Sequence, residues 1–278
     1  MERPVPPVVI GNVTPEAASI QAAYFSCTDN GSRVEYFGKN FGSFVLFDDD
    51  DLLVINKPPG ILSHSNPESK DTELGVEEMA NYYYRNAALI HRLDRDTSGV
   101  LILGKTSEGK QGMRTQFATR RLGLSKIYST ILQGRFNGML GKDHEFNLVL
   151  DIPTDSPTNT NVKVIEDPRE YRNGKSSKTI IRPRFYVERP GCTEPFTFAL
   201  VKLHTGRTHQ IRVTAAYNGN PVAGDVMYGA TPGVAPRQLL HASQITFFHP
   251  ITDELLSITA PMTADMDTWL AESKITVY

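Results

Sequence analysis

Short apolar runs with no regular helical spacer between them constrain this chain more than any other feature. Phe44–Phe47, Leu52–Ile55, Val100–Leu103, Lys126–Leu132, Thr179–Val187, Thr197–His204 and Ile245–Phe248 each have the length or alternation of a strand. Helical patterns fall in three places, Gly75–Tyr84, Ser107–Arg121 and Thr208–Tyr217. The two kinds do not alternate in the strand–helix–strand rhythm that a parallel sheet requires, so the expected fold is α+β, a mixed and largely antiparallel sheet flanked by helices and loops. Local chemistry sets several boundaries. Asp48–Asp51 is a solvated turn between two strands, and Lys57-Pro58-Pro59-Gly60 stops the second, because neither proline can donate to a ladder. Residues 1–45, rich in Pro, Gly, Asn and Ser, read as an N-terminal extension with a short strand or hairpin near Ser32–Phe37, and residues 46–278 as a single domain. The polar stretch Asp151–Lys178 reads as long loops or strand edges.

Composition narrows the class. With 40% hydrophobic residues the chain can bury a sizeable core, which excludes whole-chain disorder, and no run approaches the ~18 apolar residues of a membrane span. The N-terminus lacks the basic and apolar regions of a secretory signal. Cys27 and Cys192 form no disulfide framework and read as free thiols, so the expected location is a reducing cytoplasm. The net charge of −2 hides an uneven distribution. His91–Leu140 carries nine Lys/Arg against three acids, whereas Thr252 to the end carries one Lys against five acids. Such a distribution gives either one positive face, suited to a polyanion, or ordinary solvated helix charge.

The segment His91-Arg92-Leu93-Asp94-Arg95-Asp96-Thr97 is charged or polar except at Leu93, and apolar runs flank it on both sides. Firm walls of this kind can present one carboxylate into a cleft, where a neighbouring cation keeps it ionised for work as a nucleophile or base. Spacing alone is equally served by a turn in which Asp94 or Asp96 bonds backbone amides. Two other patterns compete. Asp94-Arg95-Asp96-Thr97 superficially matches the start of Mg²⁺-dependent phosphatases with an aspartyl nucleophile, but His91-Arg92 intervene after the strand. His204, His209, His241 and His249 match no ordinary zinc-ligand spacing.

His91-Arg92-Leu93-Asp94 followed by Thr97-Ser98-Gly99 resembles the signature of the RluA family of pseudouridine synthases. Three more blocks follow the family's order: Asn56-Lys57-Pro58-Pro59-Gly60 with His64, Lys126-Ile127-Tyr128, and LHTGRTHQIR over Leu203–Arg212, continued by NPVAGDVMYG over Asn220–Gly229. The resemblance spans roughly residues 46–262. It departs at Thr214, where the family commonly has His, and in the lack of an evident S4-type RNA-binding domain before residue 46.

The resemblance implies a pseudouridine synthase fold with a central active-site cleft, residues 46–278 as its catalytic domain, and conversion of specific uridines in structured ribosomal or transfer RNA. It makes Asp94 the catalytic carboxylate, acting on the ribose or on the base, with Arg212 as its ion-pair partner and Tyr128 stacking on the uracil. Arg92 is expected to fill the gap left by the flipped uridine. Lys110, Arg114, Arg120 and Arg121 are expected on phosphates, with Lys57, Arg207 and His209 as further RNA contacts. Lys126 is expected as a structural or phosphate contact, and Gln210 as an anchor for the helix carrying Arg212. The reaction changes no oxidation state and touches no phosphate bond, so no cofactor or metal is expected. The expected partner is RNA, with no membrane, and the protein is expected to act as a monomer. A catalytically silent RNA-binding protein on the same fold is the alternative from another class, and sensitivity to a chelator separates the phosphatase.

Overall fold

The computed structural model describes residues 8–11, 13–65, 73–151, 161–167, 169 and 174–276. Its elements run β1 (Val8–Ile10), α1 (Pro15–Ala23), α2 (Asn30–Lys39), β2 (Val45–Asp48), β3 (Leu52–Lys57), α3 (Val76–Tyr83), β4 (Ala88–Leu89), β5 (Ser98–Gly104), α4 (Ser107–Thr119) and β6 (Ser125–Gln133). They continue with β7 (His144–Asp151), β8 (Lys163–Val164), β9 (Lys175–Glu188), β10 (Phe196–Leu203), α5 (Gln210–Tyr217), β11 (Leu240–Phe248), β12 (Leu255–Thr259), α6 (Ala264–Ala271) and β13 (Lys274–Thr276). The chain divides into two compact units, Met1–Lys126 with His241–Asp267, and Ile127–Leu240 with Thr268–Tyr278.

In the first unit β3 pairs antiparallel with β2 and with β5, β11 pairs parallel with β5, and β12 pairs antiparallel with β11 and parallel with β1. Every residue of β3 and β5 is buried, which explains why each carries a continuous apolar run, Leu52–Ile55 and Val100–Leu103, rather than an alternation. Leu52, Val54, Val100 and Ile102 form one core cluster with Met113 of α4, Phe247 and Ile258, and each such side chain contributes about 1.5–3 kcal/mol by leaving water. Gly99, at φ +109°, lets β11 approach, since a Cβ there would overlap the Ala242 carbonyl oxygen.

The N-terminal expectation needs correction. Ser32–Phe37 is neither strand nor hairpin but lies inside α2, and α1 precedes it. Thr14 caps α1 through its hydroxyl, with Pro15 opening the helix, and Asp29 forms a capping box with Ser32. These short helices hold because Tyr24, Phe37 and the following Phe41 and Phe44 are buried together, with ring centroids 4.9–6.2 Å apart for Phe37–Phe44, Phe37–Phe41 and Tyr24–Phe44. The helix expected from Ser107 begins there, but its cap is Thr106, which accepts from the Gly109 N–H.

In the second unit the strands lie in the order β6–β10–β9–β7–β8, and β13 adds to β9. β9 is antiparallel to both β10 and β7. Pro183 is tolerated inside β9 because the register shifts opposite it, between Phe198 and Ala199. Of the polar stretch 151–178, residues 152–160, 168 and 170–173 lie outside the described residues; β8 pairs with the end of β7, and β9 has already begun at Lys175. Val213 of α5 packs with Leu150 and Val162.

Candidate active site

The Asp94 loop is clamped by its backbone. β4 and β5 pair antiparallel and bring its two ends together. Within the loop the Thr97 N–H donates to the Asp94 carbonyl at 3.1 Å, which closes the turn over Arg95 and Asp96. Ser63 Oγ donates to the Leu93 carbonyl at 2.7 Å and accepts from the Leu93 N–H at 3.0 Å. The Gly60 N–H and the Lys57 ammonium both donate to the Arg95 carbonyl, at 2.9 and 2.8 Å. Ser98 Oγ, just beyond, bonds His241 Nδ1 at 2.9 Å. Asp94 itself is half-buried and Arg92 is exposed. The Arg95 side chain is drawn aside into an ion pair with Glu73 at 2.7 Å.

Lys57 corrects one sequence expectation. It is 0% exposed, and its ammonium donates to the carbonyls of Pro58, Ile61 and Arg95 at 2.8–2.9 Å. A Lys ammonium has three protons, so this charge braces the 57–61 turn against the Asp94 loop and is not a contact offered to RNA.

His91 opens the loop as a neutral ring. Its Nε2 accepts from the Ile102 N–H at 3.3 Å, and its imidazole stacks on Phe117 of α4 at 5.2 Å. Burial, then the Lys126 ammonium, push the imidazole down to about 3. Lys126 lies 5.5 Å from the same Phe117 ring and is pushed down to about 8 by burial and by the Arg120 guanidinium. Because the folded pKa of His91 lies below its ordinary 6.5, the unfolded chain takes the proton first, and stability present above pH 6.5 is lost as pH falls toward 3. His91→Phe keeps the stack and removes this titration. Its urea midpoint will therefore fall less than that of the wild type between pH 7 and pH 4; an equal fall would contradict the assignment.

The basic helix is α4. Ser107, Lys110, Gln111, Arg114, Thr115 and Ala118 line an open concavity of about 550 Å³. Arg120 is the left-handed C-cap, at φ 54°, and is exposed. Arg121 lies 4.2 Å over the Phe248 ring and pairs with Asp253 at 2.8 Å, so its charge is partly balanced within the protein.

In the second unit Tyr128 is buried on β6. α5 and its lead-in carry Arg207, His209 and Arg212. Gln210 anchors the helix as expected: its amide oxygen accepts from Thr205 Oγ1 and the Arg207 N–H, and its NH₂ donates to the Lys178 carbonyl and Thr179 Oγ1. The side chains of Arg212 and Asp225, 7% and 1% exposed, form a fork, with Nε–Oδ2 at 2.6 Å and Nη2–Oδ1 at 2.8 Å. The Arg212 guanidinium lies 4.9 Å from the Tyr228 ring, and the Tyr228 hydroxyl bonds His209 Nδ1 at 2.8 Å. Arg207 Nε donates to the Ser176 carbonyl at 3.1 Å. Thr214, where the family pattern departs, is fully buried 3.4 Å from Thr179 Oγ1 and is a core residue. Sequence reasoning missed Asp225 and Tyr228, although both lie in the Asn220–Gly229 block. Among the described residues no group of three or more His, Cys, Asp or Glu is placed to hold a metal ion, and no helix is long and apolar enough to cross a membrane.

A strand-rich α+β chain with a clamped Asp turn and a buried Arg fork has close structural counterparts. Human RNA Pseudouridylate Synthase Domain Containing 1 superposes with a TM-score of 0.66 at 23% identity, covering 84% of this chain and 88% of its own. Human RNA Pseudouridylate Synthase Domain Containing 4 gives 0.64 at 18% identity, over 89% and 99%. The fold is thus that of the pseudouridine synthases. At the sequence level, a profile of the RNA pseudouridylate synthase family matches residues 51–217. The uncharacterized RNA pseudouridine synthase YhcT of Bacillus subtilis (strain 168) is 33% identical over 80% of this chain and 69% of its own length. The ribosomal large subunit pseudouridine synthase C of Vibrio parahaemolyticus is 30% identical over 80% and 67%. The chain belongs to the RluA-type RNA pseudouridylate synthase family and is an isomerase acting on RNA.

Proposed function

We propose that this enzyme converts uridines of ribosomal RNA to pseudouridine, with Asp94 as the catalytic carboxylate. The observation that carries the catalytic part is the clamping of the Asp94 turn by Ser63, Gly60 and Lys57, which fixes the backbone that bears a half-buried carboxyl. The reaction breaks N1–C1′, turns the detached uracil, joins C5 to C1′, sends the C5 proton to solvent and protonates N1. Asp94 acts on the ribose or on the base; both routes need it ionised, and Arg212 is its proposed cationic partner, oriented by Asp225. Tyr128 stacks on the uracil, and its phenol assists with the C5 proton. Arg92 fills the space the flipped uridine leaves. Residues 46–278 carry this chemistry, while α1 and α2 buttress it through Tyr24, whose hydroxyl donates to the Pro59 carbonyl at 2.5 Å. The enzyme works as a cytoplasmic monomer and needs neither cofactor nor metal.

Ribosomal RNA is favoured over transfer RNA by the relatives named for the ribosomal large subunit. Wild-type enzyme will release tritium from large-subunit ribosomal RNA labelled at uridine C5. Release from transfer RNA alone would overturn the substrate assignment, and release from neither would leave a silent RNA-binding protein.

Lys110 and Arg114, with Arg120, Arg121, Arg207 and His209, supply the phosphate contacts. Phosphate contacts release counterions, so the double variant Lys110→Ala/Arg114→Ala will flatten the slope of log affinity against log salt by about 1.5. An unchanged slope in a filter-binding titration would remove α4 from the interface.

A further inference from the structure

The turn that follows Asp225 is rigid and yet shows two apolar side chains to solvent. Val226 and Met227 are 55% and 52% exposed. Their backbone is pinned on both sides: the Tyr228 and Ala230 N–H groups both donate to the Asp225 carbonyl, at 3.0 and 3.1 Å. Gly224, at φ +81°, lies so close to the Arg237 carbonyl oxygen that a Cβ would overlap it, and Gly229 ends the turn in the left-handed region at φ +92°. Fixed apolar exposure of this kind has no role in the unit's own core. It lies directly beside Arg212, whose Nη2 is 3.6 Å from the Met227 sulfur.

We infer that Val226 and Met227 form an apolar ledge that packs against a nucleobase of the bound RNA, beside the base that reacts. This deepens the proposed function and rests on Arg212 belonging to the reaction site. The local charge selects a base over a phosphate. Asp225 takes the Nε–Nη2 edge of Arg212, and with those side chains 1% and 7% exposed the surface beside the ledge is apolar rather than a cationic fork open to a phosphate. A thioether and an isopropyl group suit the flat face of an uncharged ring, and such contacts accept any base because every base has a π-face. Arg207, on the lead-in to α5, is half-buried and supplies a cation for the backbone on either side.

Poly(U) and heparin separate base contacts from charge contacts, since heparin is a polyanion without bases. The double variant Val226→Ala/Met227→Ala will bind poly(U) about tenfold more weakly than the wild type, a typical loss for a truncated contact residue. Its affinity for heparin, the salt slope of its poly(U) binding and its melting temperature will stay at wild-type values. Met227→Gln, which keeps the side-chain length, will also weaken poly(U) binding. Ile251→Ala, at a comparably exposed apolar position in the first unit, will leave it unchanged. Wild-type poly(U) affinity in the double variant, or parallel losses for heparin, or an equal loss in Ile251→Ala, would overturn the ledge. Tritium release by the wild type is read separately, so failure of the enzymatic reading is not confused with failure of the ledge.

Discussion

Asp225→Ala will destabilise the second unit by about 3–5 kcal/mol, the cost of leaving a buried guanidinium without its partner. Arg212 and Asp225 meet at 2.6 and 2.8 Å with both side chains almost wholly removed from water, so no hydration is available to replace the lost carboxylate. The size of the effect distinguishes this pair from the surface ion pairs of the same protein. Arg182–Asp143 and Lys39–Glu35 are as short, but their side chains are 45–71% exposed, and water and salt screen pairs of that kind so that they add little to stability. Asp225→Asn keeps the shape and one acceptor and will fall between the wild type and the Ala variant. In a double-mutant cycle with Arg212→Ala, the double variant will be less destabilised than the sum of the two singles, because it leaves no charge stranded. Urea denaturation measures all four proteins; a loss below about 1 kcal/mol for Asp225→Ala would mean that the pair is solvated in solution.

The second large effect is on the reaction. Asp94→Asn removes a negative charge at nearly constant shape, and the Ser63, Gly60 and Lys57 hydrogen bonds to the backbone of the loop remain. The variant will fold and bind RNA with similar affinity, while turnover falls by at least about 10³, as expected when a carboxylate that acts as nucleophile or base becomes an amide. Ser63→Ala provides a graded comparison. It unties both hydrogen bonds to Leu93, leaves the carboxylate in place, and will lower turnover by a smaller factor.

How much of this was legible depends on where the information lies along the chain. The strands β3 and β5 announce themselves because both faces are buried and each contains an unbroken apolar run, Leu52–Ile55 and Val100–Leu103. The Asp94 loop stands out for the opposite reason, as a polar septet between two such runs. Gln210 as the anchor of α5 followed from its place beside Arg212. The N-terminal helices were harder. α1 has a cap and an N1 proline but no buried residue of its own, and α2 is interrupted by Gly31 and Gly38, so local preference is weak and the aromatic cluster around Tyr24 and Phe37 settles the structure. Lys57 was misread because a lysine in sequence carries no mark of burial; only the three converging carbonyls give it one. Asp225 was missed because it is a single acid among small residues, thirteen positions from the arginine it holds.

The central claim is that Asp94 drives an isomerisation that must expel the hydrogen at uridine C5. Tritium release from ribosomal RNA labelled at that carbon, with EDTA present, tests it by comparing the wild type with Asp94→Asn at equal folded concentration. The account predicts release by the wild type, unaffected by the chelator, and none above background for the variant. Release by Asp94→Asn at a rate near that of the wild type would contradict it.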